Sequence, residues 1–262
     1  MPRMRDHDVN DYAALRDMDA TDVGVLTAAD QACLDELGQY MVSTEAWKRF
    51  AIWLLHKHFE PHNGEVFVER SIPWPPQTHT TPIPRAAFSA SGLHATVLRF
   101  DTDVASGVGL IGMEFAEPAD FGSADPISPA DEAVLAELAQ RLRSHGKIDR
   151  FGVRLIRNQL GLSEDQLLQE TCDTAHRALH CEVTERGQVR SHKTIETTWQ
   201  WKPVITKTGT AVTMQPQQEC LVECVASEEI GHDVRHTGVE PQFVVRPRAS
   251  RHRNGRWPRP TA

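Results

Sequence analysis

Apolar residues recur at helical spacing in two places. Cys33, Leu34, Leu37 and Met41 form one stripe, and Val134, Leu135, Leu138 and Leu142 form another. Apolar positions three and four apart put one face of a helix against a core. Each stripe follows a helix-start signal, Thr27-Ala-Ala-Asp30 in the first case and Ser128-Pro-Ala-Asp131 in the second. The hydroxyl accepts from a free N–H, the acid complements the helix dipole, and Pro129 suits the first helical turn. The pattern predicts a helix of about four turns at each place.

After the first helix the period shifts to two. Phe50, Ile52, Leu54, His56 and His58 alternate as along a strand, and the turn cluster Glu60–Gly64 leads into the β-rich Glu65–Glu69. This predicts a hairpin, with a short helix through Trp47, Phe50 and Leu54 as the alternative. Further strands are predicted at Ala95–Phe100, Val108–Ala116, Arg177–Glu185, Lys193–Trp201, Thr210–Gln215 and Cys220–Ala226. Ser71–Pro84 is rich in proline and is expected to be extended, without regular structure.

Sliding the chain by 101 residues aligns Ala29–Ser71 with Ala130–Cys172 without a gap. Asp30/Asp131, Leu34/Leu135, Leu37/Leu138, Arg49/Arg150, Phe50/Phe151, Leu54/Leu155 and Glu69/Glu170 are among the identical pairs. The pattern is that of a tandem internal repeat. The expected fold class is therefore α+β: two copies packed as a pseudo-dimer, each a helix followed by an antiparallel sheet. The expected boundaries are an N-terminal extension at 1–26, a His-bearing copy at 27–118, a linker at 119–126, a second copy at 127–240, and a basic, disordered tail at 241–262.

Composition narrows the setting. No apolar run approaches the roughly 20 residues of a membrane helix, and the N-terminus carries no secretory h-region. Five cysteines without a C-x-x-C pair suggest reduced thiols and a cytoplasmic location. The formal charge is −8, yet residues 241–262 hold Arg246, Arg248, Arg251, Arg253, Arg256 and Arg259 and no acid. The rest of the chain therefore stands at about −14 and would repel nucleic acid, which is expected as a partner only through the arginine tail.

Several motifs carry candidate chemistry. Gly107-Val-Gly-Leu-Ile-Gly112 matches a dinucleotide fingerprint, but it alternates onward to Pro118 with no helix to hold a pyrophosphate, so it reads as a glycine-rich strand and no nucleotide is expected. Cys172, His176 and His180 would share a helix face, but the alternation of Leu179, Cys181 and Val183 makes this a strand and sets the thiol of Cys181 away from His180. Cys220 and Cys224 read as small buried hydrophobes. Trp199 and Trp201 share a strand face and read as core.

The pair His56-Lys-His58 remains. Residues two apart on a strand face the same way, so two imidazoles could hold one divalent transition metal, zinc or iron. His62 is the first candidate to join them, with His79, His94, Glu65 or Glu69 as alternative third ligands. The competing reading is a solvated strand face, since Arg157 and Gln159 occupy these positions 101 residues later. Glu36/Glu137, Arg49/Arg150 and Glu69/Glu170 read as scaffold, in buried ion pairs. Two functions follow: a protein that binds a metal ion or small molecule, with a metalloenzyme among its forms, or a non-catalytic interaction module using the arginine tail. Nothing in the sequence names a substrate or an oligomeric state.

Overall fold

A computed structural model describes residues 3–5, 7–17, 23–72, 74–88, 92–102, 108–121, 124–187, 194–208 and 211–225. Gly107 and the arginine tail lie outside these residues.

Both predicted helices form where their caps place them. α2 spans Ala28–Ser43, after a short α1 at Val9–Ala13. Thr27 and Asp30 make a reciprocal capping box: Asp30 N–H donates to Thr27 Oγ1 at 3.1 Å, and Thr27 N–H donates to Asp30 Oδ2 at 2.8 Å. α3 spans Glu132–Ser144, behind a 3₁₀ turn at Pro129–Asp131 capped the same way by Ser128.

Among the described residues eleven strands are formed: β1 (Arg3–Arg5), β2 (Phe50–Leu54), β3 (Glu65–Ile72), β4 (Gln77–Pro84), β5 (His94–Phe100), β6 (Gly109–Ala116), β7 (Phe151–Leu155), β8 (Gln166–Asp173), β9 (Ala178–Glu185), β10 (Thr194–Thr208) and β11 (Ala211–Val225). Ten of them close into one barrel in the order β6-β3-β4-β9-β8-β11-β10-β2-β7-β5, with β5 pairing back onto β6 and β1 added to β6.

This architecture overturns the α+β reading of two copies packed as a pseudo-dimer, each a helix followed by its own antiparallel sheet. An internal repeat does not describe it either, because strands from 27–118 and 127–240 interleave around one ring. A sheet made from either segment alone would leave rows of unpaired N–H and C=O groups at its edges. The β2–β7, β5–β7, β4–β9 and β10–β2 pairings between the segments remove those edges. The ring also mixes directions, with β3–β6 and β8–β11 parallel.

Two local expectations are corrected with it. β2 and β3 both exist but do not pair as a hairpin; β2 lies between β7 and β10, with Phe50 opposite Leu155 and Leu54 opposite Phe151. The proline-rich segment forms β4, a regular strand. Its Pro82 and Pro84 lie beyond Thr80, where pairing to β9 stops, so on that edge no N–H is required of them.

The barrel wall is dry on both faces where it carries the site. Phe50, Ile52 and Leu54 join Leu34, Leu37 and Met41 of α2, Leu135, Leu138 and Leu142 of α3, and Trp199 and Trp201 of β10 in the larger apolar cluster. Trp53 and Leu55 join Tyr12, Leu15, Phe59 and Phe67 in a second. Two close approaches depend on glycine. A Cβ on Gly38 would sit 2.2 Å from Trp201 Nε1, and one on Gly152 would sit 2.3 Å from the Leu98 carbonyl oxygen. Among the described residues, no helix is long and apolar enough to cross a membrane.

Ion pairs tie the helix starts to the barrel. Lys147 Nζ and Arg150 Nε stand 2.8 and 3.0 Å from Asp30 Oδ1, while Arg49 grips Asp131 and donates to Oδ2 at 2.7 Å. Burial works to raise both carboxyls, but these cations and the capping N–H groups outweigh it and hold both below the ordinary carboxylate range. A carboxyl depressed on folding contributes stability that is complete above its unfolded value, near pH 4, and is lost as pH falls through the folded value. Stability of the wild type should therefore drop below about pH 4, whereas Asp30→Asn/Asp131→Asn should start lower at neutral pH and lose less over that interval. Urea unfolding at a series of pH values reads this, and parallel curves for the two proteins would remove the assignment.

Candidate metal centre

The site begins where β2 ends. The strand direction continues past Leu54, because Leu55 N–H donates to the Arg150 carbonyl at 2.9 Å and Lys57 N–H donates to the Arg16 carbonyl at 2.9 Å. Alternation then sorts the side chains. Lys57 Nζ turns to the Ala13 carbonyl at 2.9 Å and to Glu60, while His56 and His58 turn together into the interior. They are 1% and 2% exposed, which rules out the solvated-face reading. That reading assumed that one face of the strand is wet.

What they meet comes from strands far along the chain. β9, β8, β11, β10 and β2 are consecutive around the barrel, and Cys224, Glu170 and Cys181 stand opposite one another on β11, β8 and β9. Opposed residues on adjacent strands project from the same face of a sheet. His58 Nε2 lies 2.8 Å from Glu170 Oε1 and 2.9 Å from His56 Nε2. Cys224 Sγ lies 2.8 Å from the same Glu170 oxygen and 3.7 Å from His56 Nε2. One ligand atom from each of the four residues falls within 4.8 Å of all the others, and all four residues are buried.

Hydrogen bonding alone serves this arrangement poorly. His58 Nε2 faces two acceptors and carries at most one proton. His56 Nδ1 is 2.6 Å from the Leu54 carbonyl, so that nitrogen holds the proton and Nε2 presents its lone pair to the centre. The surrounding groups fix the others. His58 N–H donates to the Tyr12 hydroxyl at 3.4 Å, Cys181 Sγ donates to Glu170 Oε2 at 3.5 Å, and Cys224 Sγ also reaches Thr197 Oγ1 at 3.5 Å.

The electrostatics are those of a compact buried cluster. Burial, and then the charge on His58, push His56 down to about 3, so His56 is neutral. Burial opposes charge on His58 too, but the Glu170 carboxylate beside it prevails and lifts it to about 10. Burial also works against the Glu170 charge, yet His58 holds that carboxyl well below its ordinary value. Burial and Glu170 push the Cys224 thiol up.

The other candidate ligands lie elsewhere. His62 is exposed, with Nδ1 3.5 Å from Glu65, and Glu65 is held by Arg177 at 2.5 Å. His79 packs its ring on His180 across β4 and β9, and His94 packs on Phe121. Cys172 Sγ reaches the His58 carbonyl at 3.7 Å, whereas His176 is exposed on a turn against Asp173. Glu69 is buried in an ion cluster: Arg154 Nη2 donates to it at 3.1 Å, Gln159 Nε2 at 2.7 Å, and Arg157 closes on it as well.

Glu69 and Glu170 both lie in buried ion pairs, as the scaffold reading expected, and Cys224 is buried, but Glu170 and Cys224 also stand in the candidate cluster, which neither reading foresaw. Glu170 carried one available signal, since it lies 101 residues after Glu69 just as Arg157 and Gln159 lie 101 after His56 and His58. Glu69 receives a guanidinium and an amide at those positions. Glu170 receives two imidazoles, with Cys224 as its partner on β11 where Glu69 has Ala116 on β6. Compared with protein-family models, curated proteins and solved structures, the chain gives no match in any of the three.

Proposed function

We propose that this chain is a metal-binding protein in which His56, His58, Glu170 and Cys224 hold one divalent transition metal, with zinc the best fit. The observation that carries the reading is the convergence of four ligand atoms of the right types within 4.8 Å in a buried position. Two imidazoles, a carboxylate and a thiolate form a borderline-soft tetrahedral set, which suits zinc and disfavours magnesium or calcium. The contrast with Glu69 adds support. There the buried carboxylate is neutralised by two guanidinium groups, whereas at Glu170 the counter-charge is a single titratable imidazole, His58. A dication would neutralise both Glu170 and a Cys224 thiolate, and it would relieve the two-acceptor conflict at His58 Nε2.

Four buried protein ligands leave no open coordination position, so the metal's role in this reading is to cross-link the segment after β2 with β8 and β11 rather than to activate water. Iron is the second choice for the same donors.

Metal content measured on untagged protein tests the reading. About one zinc or iron per chain is expected in the wild type, with less than a tenth of that in Cys224→Ser and His56→Ala. In the cobalt-substituted protein a thiolate-to-cobalt charge-transfer band should appear and should vanish in Cys224→Ser. Wild-type protein that stays metal-free after dialysis against excess zinc would end the proposal.

A further inference from the structure

Where β7 ends, residues of the segment 156–164 and of β8, β10 and β11 line a cavity of about 290 Å³. This is near the lower limit for a small-molecule site. None of the four candidate metal ligands lines it.

The walls differ in chemistry. Leu160, Leu162 and Leu221 are half-buried and pack on the buried Leu168, Cys181 and Val222, so an apolar floor faces the cavity. Arg154, Arg157, Arg186, Lys202 and Glu164 line it, but Arg154 and Arg157 are engaged by Glu69, so Arg186 and Lys202 are the cations it offers a ligand. Arg186 is fixed in place, with Nη1 donating to the Cys220 carbonyl at 2.5 Å and Nε to the Glu164 carbonyl at 3.1 Å. Lys202 Nζ stands 3.0 Å from Glu219, which also faces Arg186 at 3.8 Å. Glu219, which lies outside the cavity lining, is thus shared by the two cations, and an ammonium such as that of Lys202 has three N–H donors to offer acceptors. Gln200 adds an amide to the lining.

A cleft with cations on one wall focuses potential on an anion, and leucines on the other wall favour an apolar body. We infer that this cavity binds a small monocarboxylate with an apolar chain or ring, its carboxylate at Lys202 and Arg186 and its body on Leu160, Leu162 and Leu221. A polyphosphate would leave the leucines unused.

The test is calorimetric titration of the full chain with octanoate and 3-phenylpropionate, and with octylammonium as the charge-reversed probe. Saturable one-to-one binding of at least one acid is expected, and no binding of the amine. Preference for octanoate or for 3-phenylpropionate then tells a chain-bearing ligand from an aromatic one. Lys202→Gln should weaken the acid about tenfold, and Leu162→Trp, which fills the floor, should abolish binding. Metal content should be unchanged in both variants, which separates this site from the metal centre. The inference is overturned if neither acid saturates, if octylammonium binds as tightly as the acids, or if Lys202→Gln leaves the affinity unchanged. The comparison of acid with amine uses the unaltered protein and needs no variant to fold.

Discussion

Arg154→Met is expected to destabilise the folded chain by roughly 3–5 kcal/mol, the cost of removing one partner from a buried ion cluster. Arg154 is 5% exposed on β7 and donates to Glu69. Its charge is supported by Glu114 first and then by Glu69. Burial drives Glu114 up to about 7, and Arg154 is the strongest opposing influence. In the variant, Glu69 keeps Arg157 and Gln159, but Glu114 loses its main counter-charge in a dry setting. Methionine roughly conserves the buried stem, so lost packing is a minor part of the cost. Adding Glu114→Gln to Arg154→Met should recover a part of the loss, because it removes the stranded charge. A double-mutant cycle by urea unfolding measures the coupling. A loss under about 1 kcal/mol for Arg154→Met, or no recovery with Glu114→Gln, would show that the cluster is solvated in practice.

The same cluster shows what the sequence made legible and where it stopped. Local signals read well. The Thr27/Asp30 and Ser128/Asp131 caps and the Leu34 and Leu135 stripes involve residues within a turn or two, and both helices formed there. Partners of strands did not read. Phe50–Leu54 is buried at all five positions, so alternation gives no polar face from which to infer a neighbour. Its neighbours are β7, about a hundred residues on, and β10, further still. A turn cluster between two β-rich runs suggests a hairpin, and only barrel closure decides otherwise.

The candidate centre was half legible for the same reason. Period-two spacing correctly places His56 and His58 on one side, a property of the local chain. Glu170 and Cys224 join them through the parallel β8–β11 register, and no spacing in the sequence encodes that pairing. His62 was attractive because it is near in sequence, yet it sits on the exposed turn after the strand. Burial of the histidines was misjudged because a polar residue on a strand ordinarily marks a wet face; here Trp53 and Leu55 lie in one apolar cluster and Ile52 and Leu54 in another.

On the proposed metal-binding reading, withdrawing the metal is expected to lower Tm by roughly 8–16 °C. A ligand that binds only the folded state at a thousandfold excess over Kd contributes about 4 kcal/mol, and a chain of this size loses roughly 2–4 °C per kcal/mol. The argument concerns the barrel more than the ion. Glu170 and Cys224 belong to β8 and β11 and His58 to the segment that follows β2, and without a dication a carboxylate, two imidazoles and a thiol remain in a space that water does not reach. Each then needs compensation that one proton on His58 Nε2 cannot supply to two acceptors. Thermal unfolding with saturating zinc and with a strong chelator measures the difference. Cys224→Ser should unfold near the chelated wild-type temperature in both conditions, because serine cannot replace the thiolate as a soft ligand. A wild-type Tm indifferent to chelator, or a Cys224→Ser variant that shifts as far as wild type, would mean that the four residues form a hydrogen-bonded core without a metal.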